Sequence, residues 1–255
     1  MTTAFVFDLD DTLTLPRQRI VFRVAQAIQF WSSHNNFYLV TGSDFPKAKD
    51  QLFYLTKLFK GCYVCGGNEL WVNDELVESY ADILDIPSTM SDWFIEKLRA
   101  TRYPNPLMGK HIESRSGMIN FSIVGRGEKK YKGNVELDTE SRIWYSNWDK
   151  KNNERKTLVR NFNRNFSDNY YAEVAGETGI DIFKHGTGKD QVFRRLEKQY
   201  DQIFFFAAGT EKGGNNYSFA VQCESPHRVY TVEKPTDILE DLSAIRTEYG
   251  TIRIP

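Results

Sequence analysis

Asp8 and Asp10 stand one residue apart in Phe7-Asp8-Leu9-Asp10-Asp11-Thr12-Leu13-Thr14, directly after an apolar run that begins at Ala4. Residues i and i+2 of an extended chain project to one side, so both carboxylates reach a common ligand. Two carboxylates this close repel unless a cation or a proton separates them. Divided roles resolve the conflict. One carboxylate attacks an electrophile such as phosphorus and forms an acyl phosphate, while the other hands a proton to the leaving oxygen. A lone D-x-D reads more simply as a polar strand-to-helix turn, since acids favour helix starts. The full D-L-D-D-T-L-T behind an apolar strand points to chemistry instead.

The surrounding elements explain how such a pair is held. A helix is expected from about Arg17, with Ile20, Val21, Val24, Ala27, Ile28 and Trp31 on one face. Phe37–Val40 reads as a strand closed by Thr41-Gly42-Ser43, and Phe45, Ala48, Leu52, Leu55 and Phe59 as one helix. Tyr63–Val64 precedes the turn Gly66-Gly67-Asn68, and Leu70–Val72 with Leu76–Val77 flank Asn73-Asp74 as a hairpin. Strands alternating with helices predict a parallel sheet, whose ligand sites gather at the carboxyl ends of its strands. From Pro87 to Phe183 the pattern changes to a helix, two strands (Lys110–Ser114 and Met118–Val124), a polar helix near Asp149–Phe166 and two more strands (Tyr170–Ala175 and Ile180–Phe183). After Gly186 the first pattern resumes, with a helix through Val192 and Leu196, the strands Ile203–Ala207 and Val229–Val232, and a last helix through Ile238 and Leu242. The expected organisation is an α/β core of residues 1–84 and 185–255 interrupted by an α+β insertion of residues 85–184.

Composition narrows the classes of function. The chain has 255 residues, 40 % of them hydrophobic and 14 % aromatic, enough for a sizeable core. A net charge of −1 predicts no broad attraction to nucleic acid or to an anionic membrane. The longest apolar run, Ile203 to Ala208, is far too short to span a bilayer, and residues 1–14 lack a basic start followed by an apolar stretch, so the chain reads as cytoplasmic. Cys62 and Cys65 form a lone C-x-x-C that, with Cys223 and His227, would be needed in full for a zinc set; free thiols are the better reading.

The first motif resembles that of the haloacid-dehalogenase (HAD) superfamily, and the adjoining Pro16-Arg17-Gln18 resembles the eukaryotic-type phosphomannomutases within it. Four further segments, in the same order, are similar to that family: Thr41-Gly42-Ser43-Asp44-Phe45, Arg115-Ser116-Gly117-Met118-Ile119-Asn120-Phe121-Ser122, Gly125-Arg126 and Gly213-Gly214-Asn215. The resemblance implies a HAD-type Rossmann-like core with an inserted cap, a Mg²⁺ ion, a homodimer through the cap, and transfer of phosphate between two hydroxyls of a hexose. It implies Asp8 as nucleophile and metal ligand, and Asp10 as acid/base that gives the metal a backbone carbonyl. Thr41, with Ser43, would hold the transferring phosphoryl group, and Lys189 would neutralise its charge. In the cap, Arg115 and Arg126 would grip a second, non-reacting phosphate as bidentate forks. Arg17 and Asn120 would contact the substrate, and Asp181 a sugar hydroxyl.

The chain departs from the family pattern at several positions. Ala208 stands where a metal-binding carboxylate is expected, which leaves Glu211 as the candidate substitute third ligand, and Asn216 takes the place of an acid. Gly179 replaces a cap serine, Asp11 replaces a glycine, and Glu128-Lys129-Lys130-Tyr131-Lys132 lies where the family has a third arginine. Three functions therefore stay open: a hexose phosphate mutase, a phosphatase acting on sugar phosphates or nucleoside monophosphates, and a weakened HAD-fold protein that binds a phosphorylated ligand.

Overall fold

The computed structural model describes residues 2–105, 107, 109–126 and 134–249. Two compact units divide the chain, Met1–Ala81 with Gly186–Pro255, and Asp82–His185.

In the first unit, β1 (Thr3–Phe7) buries Ala4 to Phe7 without alternation, as a strand covered on both faces must. The helix expected from Arg17 starts later, as α1 (Phe22–Ser32), because Arg17 sits at φ 59°, outside the helical region, and Val21 is extended. Its buried face is Val24, Ile28 and Trp31. After β2 (Asn36–Val40), Asp44 caps α2 (Phe45–Leu52) by accepting the Lys47 N–H at 3.0 Å, and Pro46 fits the first turn. This helix was expected to continue to Phe59. It stops at Phe53, which adopts φ 55°, and the chain proceeds as a 3₁₀ turn over Phe53–Leu58. Then follow β3 (Gly61–Val64), β4 (Glu69–Val72) and β5 (Glu75–Ser79). Asn73 and Asp74 both take positive φ, which a tight β4–β5 hairpin requires.

The second unit comprises α3 (Ser88–Ala100), β6 (Lys110–Arg115), β7 (Met118–Arg126), α4 (Asn134–Asn152), α5 (Glu154–Asn165), β8 (Tyr170–Ala175) and β9 (Gly179–Lys184). Its four strands form an antiparallel sheet in the order β6-β7-β9-β8. The single helix expected near Asp149–Phe166 is two, broken at Asn153 (φ 54°), a residue type that tolerates the left-handed region. The onset of α4 escapes sequence reading because Ile143 and Trp144 are exposed and no apolar stripe announces it. Trp93 and Phe94 of α3 pack on Phe121, Phe162 and Ile180 to form this unit's core. The Glu128–Lys132 run lies outside the described residues.

The chain returns to the first unit with α6 (Asp190–Leu196), β10 (Gln202–Ala207), the short α7 (Tyr217–Ala220), β11 (Arg228–Thr231) and α8 (Asp237–Tyr249). The seven-stranded sheet runs β11-β10-β1-β2-β3-β4-β5, parallel from β11 to β3 and antiparallel beyond. One face packs Val6, Val40 and Phe205 against Val192, Leu196 and Phe219. The other stacks aromatic rings, with Phe7 and Phe206 4.7 Å apart. The chain leaves β1 toward β2 on one side and later returns to β10 on the other, so the carboxyl ends of β1 and β10 flank a topological switch point, where parallel sheets bind ligands. No described helix is long and apolar enough to cross a membrane.

Candidate active site

Asp8 is the first residue past β1. Its N–H still donates to the Phe206 carbonyl (3.0 Å), so the sheet itself aims the side chain, which is 2 % exposed. The chain then turns tightly: the Leu9 carbonyl accepts from Leu13 and Thr14 (2.9 and 3.0 Å), and Asp11 takes φ 60°. Thr12 Oγ1 accepts the Ala208 N–H (3.0 Å), which ties the turn to the end of β10.

Lys189, immediately before α6 and 2 % exposed, donates from Nζ to Asp8 Oδ1 (2.9 Å) and to Asn216 Oδ1 (2.7 Å). Asn216 Nδ2 donates to Asp8 Oδ2 (2.9 Å) and to the Ala208 carbonyl (2.8 Å). Three buried side chains from widely separated parts of the sequence thus close one network.

Asp10 is served by a different set. Ser43 Oγ donates to its Oδ2 at 3.3 Å. Gln51 turns its side-chain nitrogen to three acceptors, Asp10 Oδ1 (3.3 Å), the Gln18 carbonyl (3.2 Å) and Thr14 Oγ1 (2.7 Å). Burial pushes the Asp10 carboxyl above its usual range and the Asp8 charge adds to the shift, while the bonds from Gln51 and the Arg17 backbone and the Lys189 charge oppose it. A carboxyl that burial raises and donors steady is suited to holding a proton and giving it up. Arg17 thus reaches the site by its backbone, and its side chain is exposed.

Thr41 is buried and organises the loop after β2. Its N–H donates to the Tyr63 carbonyl (2.9 Å), and its Oγ1 accepts the Ser43 N–H (3.0 Å). The same loop accepts the Cys65 N–H on the Ser43 carbonyl (2.9 Å), so β3 fixes the position of Ser43 beside Asp10.

The second unit gathers the other expected residues on its own sheet. Glu113 pairs with Asn120, Asn120 with Asp181 and Asp181 with Glu173, so one rung across all four strands is polar on a shared face. Arg115 Nη2 donates to Glu113 (2.5 Å), and Arg126 Nε lies 3.6 Å from the same carboxylate. Arg126 also donates to Asn120 Oδ1, whose amide nitrogen donates to Asp181 Oδ1. Glu113, absent from the sequence reading, therefore orients both arginines. Gly179 has a steric reason: a Cβ there would lie 3.0 Å from both amide atoms of Asn120 and 3.2 Å from the Phe121 carbonyl.

The Asp8 carboxylate, the Asp10 backbone carbonyl and Glu211 were expected around a Mg²⁺ ion, and the carboxylates of this set do not come together. Among the described residues no three His, Cys, Asp or Glu side chains converge closely enough to hold a metal. The loop after β10 turns back through Gly209 (φ 58°), with the Gly214 N–H on the Glu211 carbonyl (2.8 Å) and the Asn216 N–H on that of Gly209 (3.1 Å). This turn leaves Glu211 exposed and returns Asn216 to Asp8. Among the described residues no third carboxylate joins Asp8 and Asp10, and ammonium and amide donors point at both Asp8 oxygens. That donor set does not fit a cation that requires several oxygens in near-octahedral array. All three cysteines are free thiols, as expected.

Gln51 is the other side chain that sequence reasoning missed. Its signal was present, a polar residue among Ala48 and Leu52 on the buried face of α2.

A family model described as eukaryotic phosphomannomutase matches residues 25–248. A phosphomannomutase of Oryza sativa subsp. indica is 29 % identical over 247 residues, covering 94 % of each chain. A probable phosphomannomutase of Caenorhabditis elegans is 28 % identical over 260 residues, covering 96 % of each. Among solved structures, an IMP-bound IMP-nucleotidase of Plasmodium falciparum matches 96 % of this chain and 68 % of its own, at TM-score 0.58 and 16 % identity, a likeness of fold.

Proposed function

The chain belongs to the eukaryotic phosphomannomutase family, and we propose that it transfers phosphate on a small phosphorylated hexose through an aspartyl phosphate at Asp8. It is a phosphotransferase of the HAD superfamily. The observation that carries the reading is the buried Asp8–Lys189 pair at the carboxyl end of a central strand, with Asp10 two residues on and pushed toward its neutral form.

The proposed reaction runs in two balanced steps. Asp8 attacks phosphorus, the bond from phosphorus to the sugar oxygen breaks, and Asp10 gives that oxygen its proton. Lys189 and Asn216 each engage one lone pair on an Asp8 oxygen, and a carboxylate oxygen carries two, so attack remains open to it. In the second step a sugar hydroxyl attacks the aspartyl phosphate, returns its proton to Asp10, and frees Asp8. Lys189 stays beside Asp8 throughout, and Ser43 holds Asp10 in place. Under this reading Arg115, Asn120, Arg126 and Asp181 make the second unit a cap that recognises the far end of the substrate. Thr41 shapes the loop near the phosphoryl group, and the Arg17 side chain faces the substrate from the turn.

A phosphatase on the same site is the second reading, favoured by Gly179, where the cap lacks a hydroxyl and a Cβ would crowd Asn120 and the Phe121 carbonyl. One experiment separates the two: hexose 1- and 6-phosphates are supplied with and without a hexose bisphosphate, and isomer and free phosphate are both quantified. The proposal expects isomer formation stimulated by the bisphosphate and abolished in Asp8→Asn. Phosphate release alone favours the phosphatase, and turnover unchanged in Asp8→Asn overturns the aspartyl route.

A further inference from the structure

We propose that Lys189 and Asn216 hold Asp8 in place of a divalent cation, so that the resting protein takes up no Mg²⁺ at this site. The proposal concerns the same Asp8 read above as the phosphate acceptor, and it rests on the direction of the hydrogen bonds around that group. The partners of Asn216 fix its amide: the nitrogen faces Asp8 Oδ2 (2.9 Å) and the Ala208 carbonyl (2.8 Å), and the oxygen faces the Lys189 ammonium (2.7 Å). Reversing the amide would set its oxygen against two acceptors and its nitrogen against a cation. The orientation is therefore determined, and it presents a donor where a metal would need a lone pair.

Charge balance points the same way. Asp8 and Lys189 form a buried pair, and Asn216, which is fully buried, adds no charge. A dication bound to Asp8 would lie within a few ångströms of the Lys189 ammonium, with one carboxylate shared between them. The usual remedy is another carboxylate. Here the end of β10 supplies the methyl group of Ala208, the loop carries Glu211 out to solvent, and residue 216 is an amide. The amide and ammonium supply the donors and the positive charge that the carboxylate needs when buried.

The test is metal binding by the resting full-length chain. Mn²⁺ uptake is followed by electron paramagnetic resonance and Mg²⁺ uptake by calorimetry, in wild type, Asp8→Asn, Ala208→Asp/Asn216→Asp and that double variant carrying Asp8→Asn. At roughly millimolar metal, wild type and Asp8→Asn are expected to give the same binding curve. The double variant is expected to bind Mn²⁺ about tenfold or more tightly than wild type, since added carboxylates raise affinity, and to lose that gain with Asp8→Asn. Mn²⁺ uptake by wild type that Asp8→Asn removes overturns the proposal. This comparison decides the matter even where the double variant fails to fold. Failure of the functional reading looks different: a chain that ignores Mn²⁺ and leaves every hexose phosphate untouched keeps this inference and loses the other, and one that binds Mn²⁺ through Asp8 while isomerising a sugar does the reverse.

Discussion

Gln51 points its side-chain nitrogen at Asp10 Oδ1 from 3.3 Å away, so the residue that governs the proposed acid/base lies on α2 and outside the D-L-D-D-T motif. A donor on a carboxylate favours its charged form, and Gln51 is the leading influence holding the Asp10 carboxyl down against burial and the Asp8 charge. Gln51→Leu removes that donor and raises the Asp10 proton affinity further. The pH dependence of kcat/KM is the measurement: the limb that reports deprotonation of Asp10 is expected to move to higher pH. A limb that stays put while the maximal rate falls would mean that Gln51 only holds the turn at Gln18.

Asp10 also ties activity to stability with a definite sign. Its carboxyl is raised in the folded state from an ordinary value of 3.8, chiefly by burial, so the native protein binds the proton more tightly than the unfolded chain does. Native stability then falls as pH climbs from about that ordinary value through the raised one, because charging the buried group favours unfolding. Asp10→Asn removes the titration. The expected result is a variant that is more stable than wild type at neutral pH in chemical denaturation, with a flatter pH profile, and slower by about 10²–10⁴ in turnover. Equal stability profiles would show that Asp10 binds its proton no more tightly in the folded protein than in the unfolded chain.

Lys189 is the opposite case, a charge whose loss leaves a partner stranded. It is 2 % exposed and bonds both Asp8 and Asn216, so Lys189→Met leaves a buried carboxylate without its counter-ion. Breaking such a pair costs about 3–5 kcal/mol. Denaturant unfolding of Lys189→Met should show a loss of that order, and the additional change Asp8→Leu should recover a large part of it. Lys189→Arg is not a conservative substitute, since a compact ammonium sits 2.9 and 2.7 Å from its two acceptors and a planar fork would need more space.

Parts of this site were legible in the sequence for clear reasons. Asp8 stands out because burial on both faces makes β1 a continuous apolar run, and the run stops at an acid. The antiparallel second unit shows itself through paired strands without helices between them. Where the reading failed, local backbone choices decided: Arg17, Phe53 and Asn153 all take positive φ, and they respectively delay, end and interrupt helices that apolar spacing alone would run through them. Spacing along the loop after β10 made Glu211 the candidate third ligand, but the turn through Gly209 and Gly214 brings Asn216 back to Asp8. Such a turn depends on hydrogen bonds that side-chain periodicity does not encode. Glu113 was overlooked for a related reason, since its importance comes from cross-strand pairing with Asn120.

The shared hold of Glu113 on Arg115 and Arg126 makes the cap testable by itself. Under the proposed function Arg115 binds the non-reacting phosphate equally in ground and transition states, so its removal should raise KM and spare kcat. Arg115→Met is expected to raise KM for the hexose phosphate by about tenfold or more, the scale of one charge-assisted hydrogen bond. Arg115→Lys should restore charge and recover only part of the loss, because a lysine cannot reproduce the fork that meets Glu113 at 2.5 Å. A fall in kcat at constant KM would assign Arg115 to cap structure alone.

Gly179→Ser, which installs the residue the family pattern places there, tests whether the cap of this chain has diverged by packing. The new Cβ would meet both Asn120 amide atoms at 3.0 Å and the Phe121 carbonyl at 3.2 Å. Backbone cannot yield cheaply, so Asn120 must move, and with it the bonds to Arg126 and Asp181. Overpacking of this kind costs about 1–3 kcal/mol. The variant is therefore expected to be less stable by that amount in denaturant unfolding and to bind a hexose phosphate no better than wild type, despite its added hydroxyl. Should it instead bind more tightly at unchanged stability, Asn120 has room to turn aside, and the glycine reflects a different substrate and not a crowded sheet.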